Sequence, residues 1–223
     1  MYGEKSINEL LELLERHEVL TFESQLQLNA ELEKRNLIAE KKVLDQTIAQ
    51  KINEIKNLEY LKDFGFKAEI NDGGVLITRT LKAMITDIIA VIAGLIVFLI
   101  GIYGIASLVS VFVNGEEINV FSLAINFVMA SLVLTGFKFF NGIKRLFDYS
   151  GFELSNLKGV ITLRKRFDLK LEQIREKASE LLLETEENQM VLKLGNHTIF
   201  SSSVESIVQR LTLEELANVL RKE

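Results

Sequence analysis

Between Met84 and Phe140 the chain carries two long apolar runs separated only by Asn114-Gly115-Glu116-Glu117-Ile118-Asn119. Ile88 to Val113 contains no charged residue, and neither does Val120 to Phe137. A helix rises about 1.5 Å per residue, so roughly 20 apolar residues cross a hydrocarbon core of about 30 Å. The first run exceeds that length, which allows tilt or an end in the headgroup region; the second is shorter. Two adjacent uncharged runs are hard to reconcile with a buried helix pair of a soluble protein. The reading is a transmembrane hairpin over 84–140, with helices near 85–113 and 120–140 and a short external loop at 114–119.

Basic residues orient it. The loop has no Lys or Arg and carries Glu116 and Glu117, whereas Arg79, Lys82, Lys138, Lys144 and Arg145 flank the outer ends. The positive-inside rule puts both termini in the cytoplasm. Residues 1–20 are amphipathic and acidic, unlike a cleaved signal peptide, so the first apolar helix is expected to direct insertion.

Within the hairpin, Ala90, Gly94, Gly101, Gly104 and Ser107 form a stripe of small residues. Such stripes let helix backbones approach closely in lipid. The seam suits packing on the chain's own second helix, and it also suits a homo-oligomer. Asn126 is the conspicuous polar residue of the second helix. An antiparallel count puts it near Ser107, where an interhelical hydrogen bond would satisfy its amide; lining a pore is the other reading. Asp87, near Lys82, reads as an interfacial residue rather than a buried proton relay.

Charge and composition exclude several classes. The net charge of −5 argues against phosphate-driven nucleic-acid binding. The absence of Cys removes thiol catalysis and Cys-ligated zinc, and two distant histidines do not suggest a metal site. No phosphate-cradling glycine loop occurs, and no elbow motif accompanies Ser201-Ser202-Ser203 near His197. The expectation is a non-enzymatic chain with no cofactor, no metal and no catalytic residues.

The first 63 residues read as a cytoplasmic helical, coiled-coil-like arm. Ser6 and Glu9 stand at capping-box spacing, and Ile7, Leu10, Leu11 and Leu14 make an apolar stripe. A second helix starts at Thr21 and stops near Asn36. Residues 38–62 are predicted helical, with Leu44, Ile48, Ile52, Ile55 and Leu58 on one side; Lys51 interrupts a strict heptad, which favours packing on neighbouring elements or on the β-part over self-association. His17 is expected to be solvated. Residues 64–83 read as a β-hairpin turning at Asn71-Asp72-Gly73-Gly74. A similar text recurs as Gly151-Phe152 and Val160 to Arg164, so the two hairpins could pair into one sheet with the membrane hairpin inserted between them. In 141–223 the reading is a juxtamembrane helix, a meander over 180–201, and a C-terminal helix with Thr212 and Glu215 at capping-box spacing. Residues 168–179 stay open between helix and connection. The stretch from Phe137 to Tyr149 would lie along the membrane surface, with Phe140 and Phe147 at headgroup level and Lys138, Lys144 and Arg145 on anionic lipid.

The fold class expected is therefore an α+β membrane protein. It comprises the transmembrane hairpin, the N-terminal arm and a small antiparallel cytoplasmic β-domain closed by a C-terminal helix. The segment Glu31-Leu32-Glu33-Lys34-Arg35-Asn36-Leu37, after a Glu-Leu-Leu helix, resembles the ELEKRGL-like N-terminal segment of uncharacterised bacterial two-helix membrane proteins, with Asn36 in the glycine position. A strand meander closed by a helix beside a membrane hairpin resembles bacterial pleckstrin-homology-like membrane proteins. These resemblances imply a location in the bacterial cytoplasmic membrane and bring no known activity. The leading expectation is a membrane anchor or scaffold whose cytoplasmic domains bind a protein partner or lipid headgroups. The alternative is an oligomeric channel or membrane-disrupting effector gated by its cytoplasmic part.

Overall fold

A computed structural model of the chain describes residues 2–71, 74–114, 119–167 and 170–222, the side chains at 112, 114, 138–141 and 167 excepted. Asp72 and Gly73 of the expected turn, and Glu116 and Glu117 of the expected loop, lie outside the described residues. The fold is α+β, with two compact units formed by Met1–Leu76, Ser155–Ile161 and Arg175–Glu223, and by Ile77–Leu154 and Thr162–Ile174.

In the first unit, α1 (Ile7–Glu15), α2 (Phe22–Lys34) and α3 (Lys42–Lys56) precede the strands, and α6 (Ile207–Arg221) follows them. Ser6 accepts the Glu9 N–H while the Glu9 carboxylate accepts the Ser6 N–H, a complete capping box. Thr21 caps α2 with its hydroxyl, which accepts the Ser24 N–H. The α2 terminus explains why its sequence reads as it does. Asn36 sits at φ 60°, its N–H donates to the Glu33 carbonyl, and the Leu37 N–H reaches back to the Leu32 carbonyl at 3.0 Å. This is a Schellman ending, and the left-handed residue it needs is Asn where glycine is commonest. Arg35 then ties the N-terminal segment down, donating to Glu31 Oε1, the Lys5 carbonyl and the Gly3 carbonyl.

The arm is a packed helical core, with α3 lying on its neighbours. Leu10, Phe22, Leu28, Leu32, Leu44, Ile48 and Ile55 are buried together, with Ile207, Val208 and Leu211 of α6 packed against them. Leu44, Ile48 and Ile55 of α3 are thus covered by their own chain. Two details of that helix differ from expectation. Ile52 is exposed, and Leu58 falls past the end of the helix at φ 58°. His17 is buried, not solvated: its Nδ1 donates to the Leu14 carbonyl at 2.8 Å and its Nε2 lies 3.1 Å from Thr47 Oγ1. The expected start of the last helix at Thr212 is also corrected. The helix begins five residues earlier, at Ile207 after Ser206. Thr212 is fully buried in its middle, its hydroxyl satisfied by the Val208 carbonyl at 2.7 Å.

The strands form two sheets. β1 (Phe66–Asn71), β2 (Gly74–Arg79), β3 (Glu153–Leu157), β4 (Val160–Phe167) and β5 (Lys170–Lys177) are hydrogen-bonded in that order. The two hairpins on either side of the membrane-length helices therefore do join, β2 beside β3. The reading of 168–179 as helix or irregular connection is corrected: residues 170–177 are the edge strand β5, hydrogen-bonded to β4. Gly74 allows the close approach of β2 to β3, since a Cβ there would collide with the Asn156 carbonyl. β6 (Leu181–Glu186), β7 (Gln189–Leu194) and β8 (His197–Ser203) make a separate antiparallel meander. Phe66 and Phe200 meet edge to face at 4.9 Å.

Asn156 locks the C-terminus of α6. Its amide donates to the Leu220 carbonyl at 2.7 Å and the Lys222 carbonyl at 2.9 Å, and its Oδ1 accepts the Gly159 N–H at 3.1 Å. Substituting Asn156→Ala leaves those carbonyls without a donor, so a loss of about 1–3 kcal/mol is expected. Hydrogen exchange should speed up in the last turn of α6; unchanged exchange there would show that the amide does not hold the helix.

In the second unit, α4 (Leu81–Asn114) and α5 (Val120–Asp148) are each long and apolar enough to cross a membrane. α4 begins at Leu81, earlier than expected, because Thr80 caps it: its Oγ1 accepts the Ala83 N–H and its carbonyl the Met84 N–H. The separate surface helix expected over 137–149 is corrected to the unbroken end of α5. Nothing in Phe137 to Tyr149 breaks a helix, since it contains no Pro and its only glycine is Gly142.

Candidate functional site

The small residues of α4 meet α5 in a regular register. Gly101 and Gly104 are buried, and a Cβ on them would lie 2.5 Å from the Val133 backbone nitrogen and 2.6 Å from that of Ala130. Gly136 answers from the other helix, where a Cβ would sit 2.8 Å from Phe98 Cα. Gly94 is buried as well, and Ala90 and Ser107 are half-buried. Continuing the register brings Asn126 level with Leu108, next to Ser107. Among the described residues Asn126 is half-buried and no hydrogen bond joins it to α4. Tyr103 is 67% exposed, turned away from the seam.

The polar centre of the second unit stands where β2 becomes α4 and α5 becomes β3. Because Thr80 turns the chain sharply, the Arg79 guanidinium folds back on Asp87, which lies on α4. Arg79 Nη2 and Asp87 Oδ2 form a hydrogen-bonded ion pair with both side chains buried, at 8% and 10% exposure. Arg145 of α5 adds its Nε at 3.6 Å from Asp87 Oδ1 and is itself 54% exposed. One carboxylate thus joins the start of α4 to β2 and to the end of α5. Its ionic partners are Arg79 and Arg145, and it is buried within the protein. A desolvated carboxylate at the mouth of an apolar helix is tolerable only when so paired.

Tyr149, the residue that ends α5, packs beneath this pair. Arg79 Cζ lies 4.9 Å and Lys165 Nζ 5.0 Å from its ring centroid. Cations over a partly desolvated ring gain up to about 2 kcal/mol each. Burial pushes the Tyr149 hydroxyl above its usual range against the pull of Arg79 and Arg145, and burial draws the Lys165 ammonium below its own. Phe152 closes the turn, its ring 5.7 Å from Tyr149 and its N–H on the Tyr149 carbonyl.

Beside this cluster is a cavity of about 510 Å³. Its lining combines the apolar residues Leu81, Met84, Ile88, Leu146, Phe147 and Phe152 with the polar residues Thr78, Arg79, Thr80, Tyr149 and Ser150. Of the residues expected at a membrane surface, Phe147 lines this cavity, Arg145 reaches Asp87, and Lys144 is exposed. The Lys138 and Phe140 side chains lie outside the described residues. Sequence reading missed Tyr149 and Lys165 as members of the site. It used Arg79 only for orientation and set Arg145 on anionic lipid, although a lone Asp at the start of an apolar helix with arginines flanking both helices was a usable signal for a buried lock.

No group of His, Asp or Glu side chains among the described residues is arranged to hold a metal ion. Against known protein families, characterised proteins and solved structures, the chain finds no match.

Proposed function

We propose that this chain is an integral protein of the bacterial cytoplasmic membrane, non-enzymatic, with both termini inside. In this reading its cytoplasmic helical and β parts serve as an anchor or scaffold that binds lipid headgroups or a protein partner. The observation that carries the reading is the outward surface of α4 and α5. Ile89, Ile92, Leu95, Leu99, Phe121, Phe127 and Leu134 are all exposed, and only 17% and 11% of the most apolar stretches of the two helices is buried. A core helix of a soluble protein would be covered, and water does not tolerate so continuous an apolar face. Lipid does. The resemblance to bacterial two-helix membrane proteins and the basic flanks favour the same placement.

The channel alternative has less behind it. Gly101 and Gly104 are taken up inside the hairpin, and the exposed positions between Ile88 and Val111 are apolar apart from the Tyr103 hydroxyl. An assembly built on those faces would have little with which to hold water.

Threading is directly testable because the chain has no Cys. In intact cells, Glu116→Cys should react with a membrane-impermeant maleimide, whereas Glu205→Cys should react only after permeabilisation. Labelling of Glu205→Cys in intact cells would overturn the proposed topology.

A further inference from the structure

We infer that the cavity between Arg79 and Ile88 binds one anionic phospholipid, its phosphate at Arg79 and Tyr149 and an acyl chain against the apolar lining. The inference rests on the membrane placement proposed above and deepens it, turning a general affinity for headgroups into a defined site.

Three features carry it. First, the cavity is lined by both kinds of residue: Thr80, Arg79, Tyr149 and Ser150 are polar, and Met84, Ile88, Leu146 and Phe147 are apolar. A ligand with a polar and an apolar part matches such a lining better than a wholly aqueous or a wholly apolar one. Second, its depth suits a lipid. The walls come from the first turns of α4 and the last turns of α5, the ends of the two membrane-length helices. In the proposed placement those turns lie where headgroups give way to acyl chains. A lipid would enter sideways from its own leaflet, with its chain already beside Ile88.

Third, the charge fits. Lys165 joins Arg79 at the Tyr149 ring and Arg145 reaches Asp87. Lys82 stands in the first turn of α4, Lys144 and Asp148 near the end of α5, and Glu153 is paired with Arg164. Asp87 is engaged by Arg79 and Arg145, so the local field remains positive and favours a phosphate diester carrying a net negative headgroup over a zwitterionic one. The guanidinium supplies planar N–H donors suited to phosphate oxygens, and the Tyr149 and Ser150 hydroxyls add donors beside it.

The test uses the full chain in nanodiscs of equal phosphatidylglycerol and phosphatidylcholine, released into the gas phase for native mass spectrometry. The unaltered chain should retain one phosphatidylglycerol in clear preference to phosphatidylcholine. Met84→Trp, which fills space beside the apolar lining without touching a charge, should weaken retention about tenfold, a difference of about 1.4 kcal/mol. Arg79→Gln should abolish the preference for the anionic lipid, and because it also disturbs the Asp87 pair, Met84→Trp is the deciding variant. Soluble glycerophosphoglycerol, offering the same phosphate diester without a chain, should not displace the lipid. Equal retention of both lipids by the unaltered chain, undiminished retention by Met84→Trp, or displacement by glycerophosphoglycerol would each overturn the inference. Flotation of the same preparation with vesicles separates the two levels. If the chain floats but shows no lipid preference, the site alone fails; if it does not float, the membrane placement fails first.

Discussion

Replacing Asp87 with Ala is expected to be the most damaging single change in the second unit. The substitution leaves the Arg79 guanidinium buried without the carboxylate that neutralises it, and releases Arg145 from the end of α5. Removing one member of a buried pair costs roughly 3–5 kcal/mol, because the remaining charge stays desolvated. In detergent micelles this should appear as a large drop in the apparent unfolding temperature and as early proteolysis around residues 79–87. The reciprocal expectation makes the test specific. The double variant Arg79→Met with Asp87→Leu removes both charges while keeping volume, and should recover most of the loss, as buried pairs replaced by apolar groups commonly do. A drop of only about 0.5 kcal/mol for Asp87→Ala would mean the pair behaves like one at a wet surface, and the lock would have to be abandoned.

Enlarging the seam glycines should act on the hairpin itself. A Cβ on Gly101 would lie 2.5 Å from the Val133 nitrogen and 2.6 Å from Val133 Cγ2, and on Gly104 2.6 Å from the Ala130 nitrogen. Overpacking usually costs about 1–3 kcal/mol when side chains can shift. Here the obstacle includes the backbone of the facing helix, which cannot rotate aside, so the helices must separate. Gly101→Val and Gly104→Val should therefore each lower the detergent concentration at which the hairpin unfolds, and their combination should prevent a stable pair. Gly142→Ala is the internal control. A Cβ there meets Val91 Cγ2 at 3.5 Å, ordinary contact, and alanine is the better helix former by about 1 kcal/mol. If Gly101→Val behaves like Gly142→Ala, the close approach of the two helices is not what holds them.

Local chemistry made much of this fold legible. The capping box at Ser6, the start at Thr21 and the left-handed stop at Asn36 were readable because each depends on residues within one turn. The long helices were readable because lack of charge over such lengths has few other causes. The misses share one physical origin. Thr212 looked like a cap because serine and threonine caps and buried mid-helix threonines present the same residue type, and only the packing of α6 decides between them. Ile52 looked like core because helical period cannot tell how wide a strip its neighbours cover. His17 looked solvated because its partner, Thr47, lies on another helix.

The sequence by itself determined the two membrane-length helices, the small-residue stripe between them, the helix ends of the N-terminal region and the repeated hairpin text on either side. Each follows from short-range sterics, hydrogen bonding or unbroken apolarity, which the order of residues states directly. Only the tertiary structure decided that β2 lies beside β3, that Asp87 joins Arg79 to Arg145, and that Tyr149 sits under Arg79 and Lys165. Most of those contacts join residues far apart in the chain, and even Arg79 and Asp87, eight positions apart, meet across the turn between a strand and a helix. Their energies depend on burial, which exists only once the chain has closed on itself, so the sequence alone does not display them.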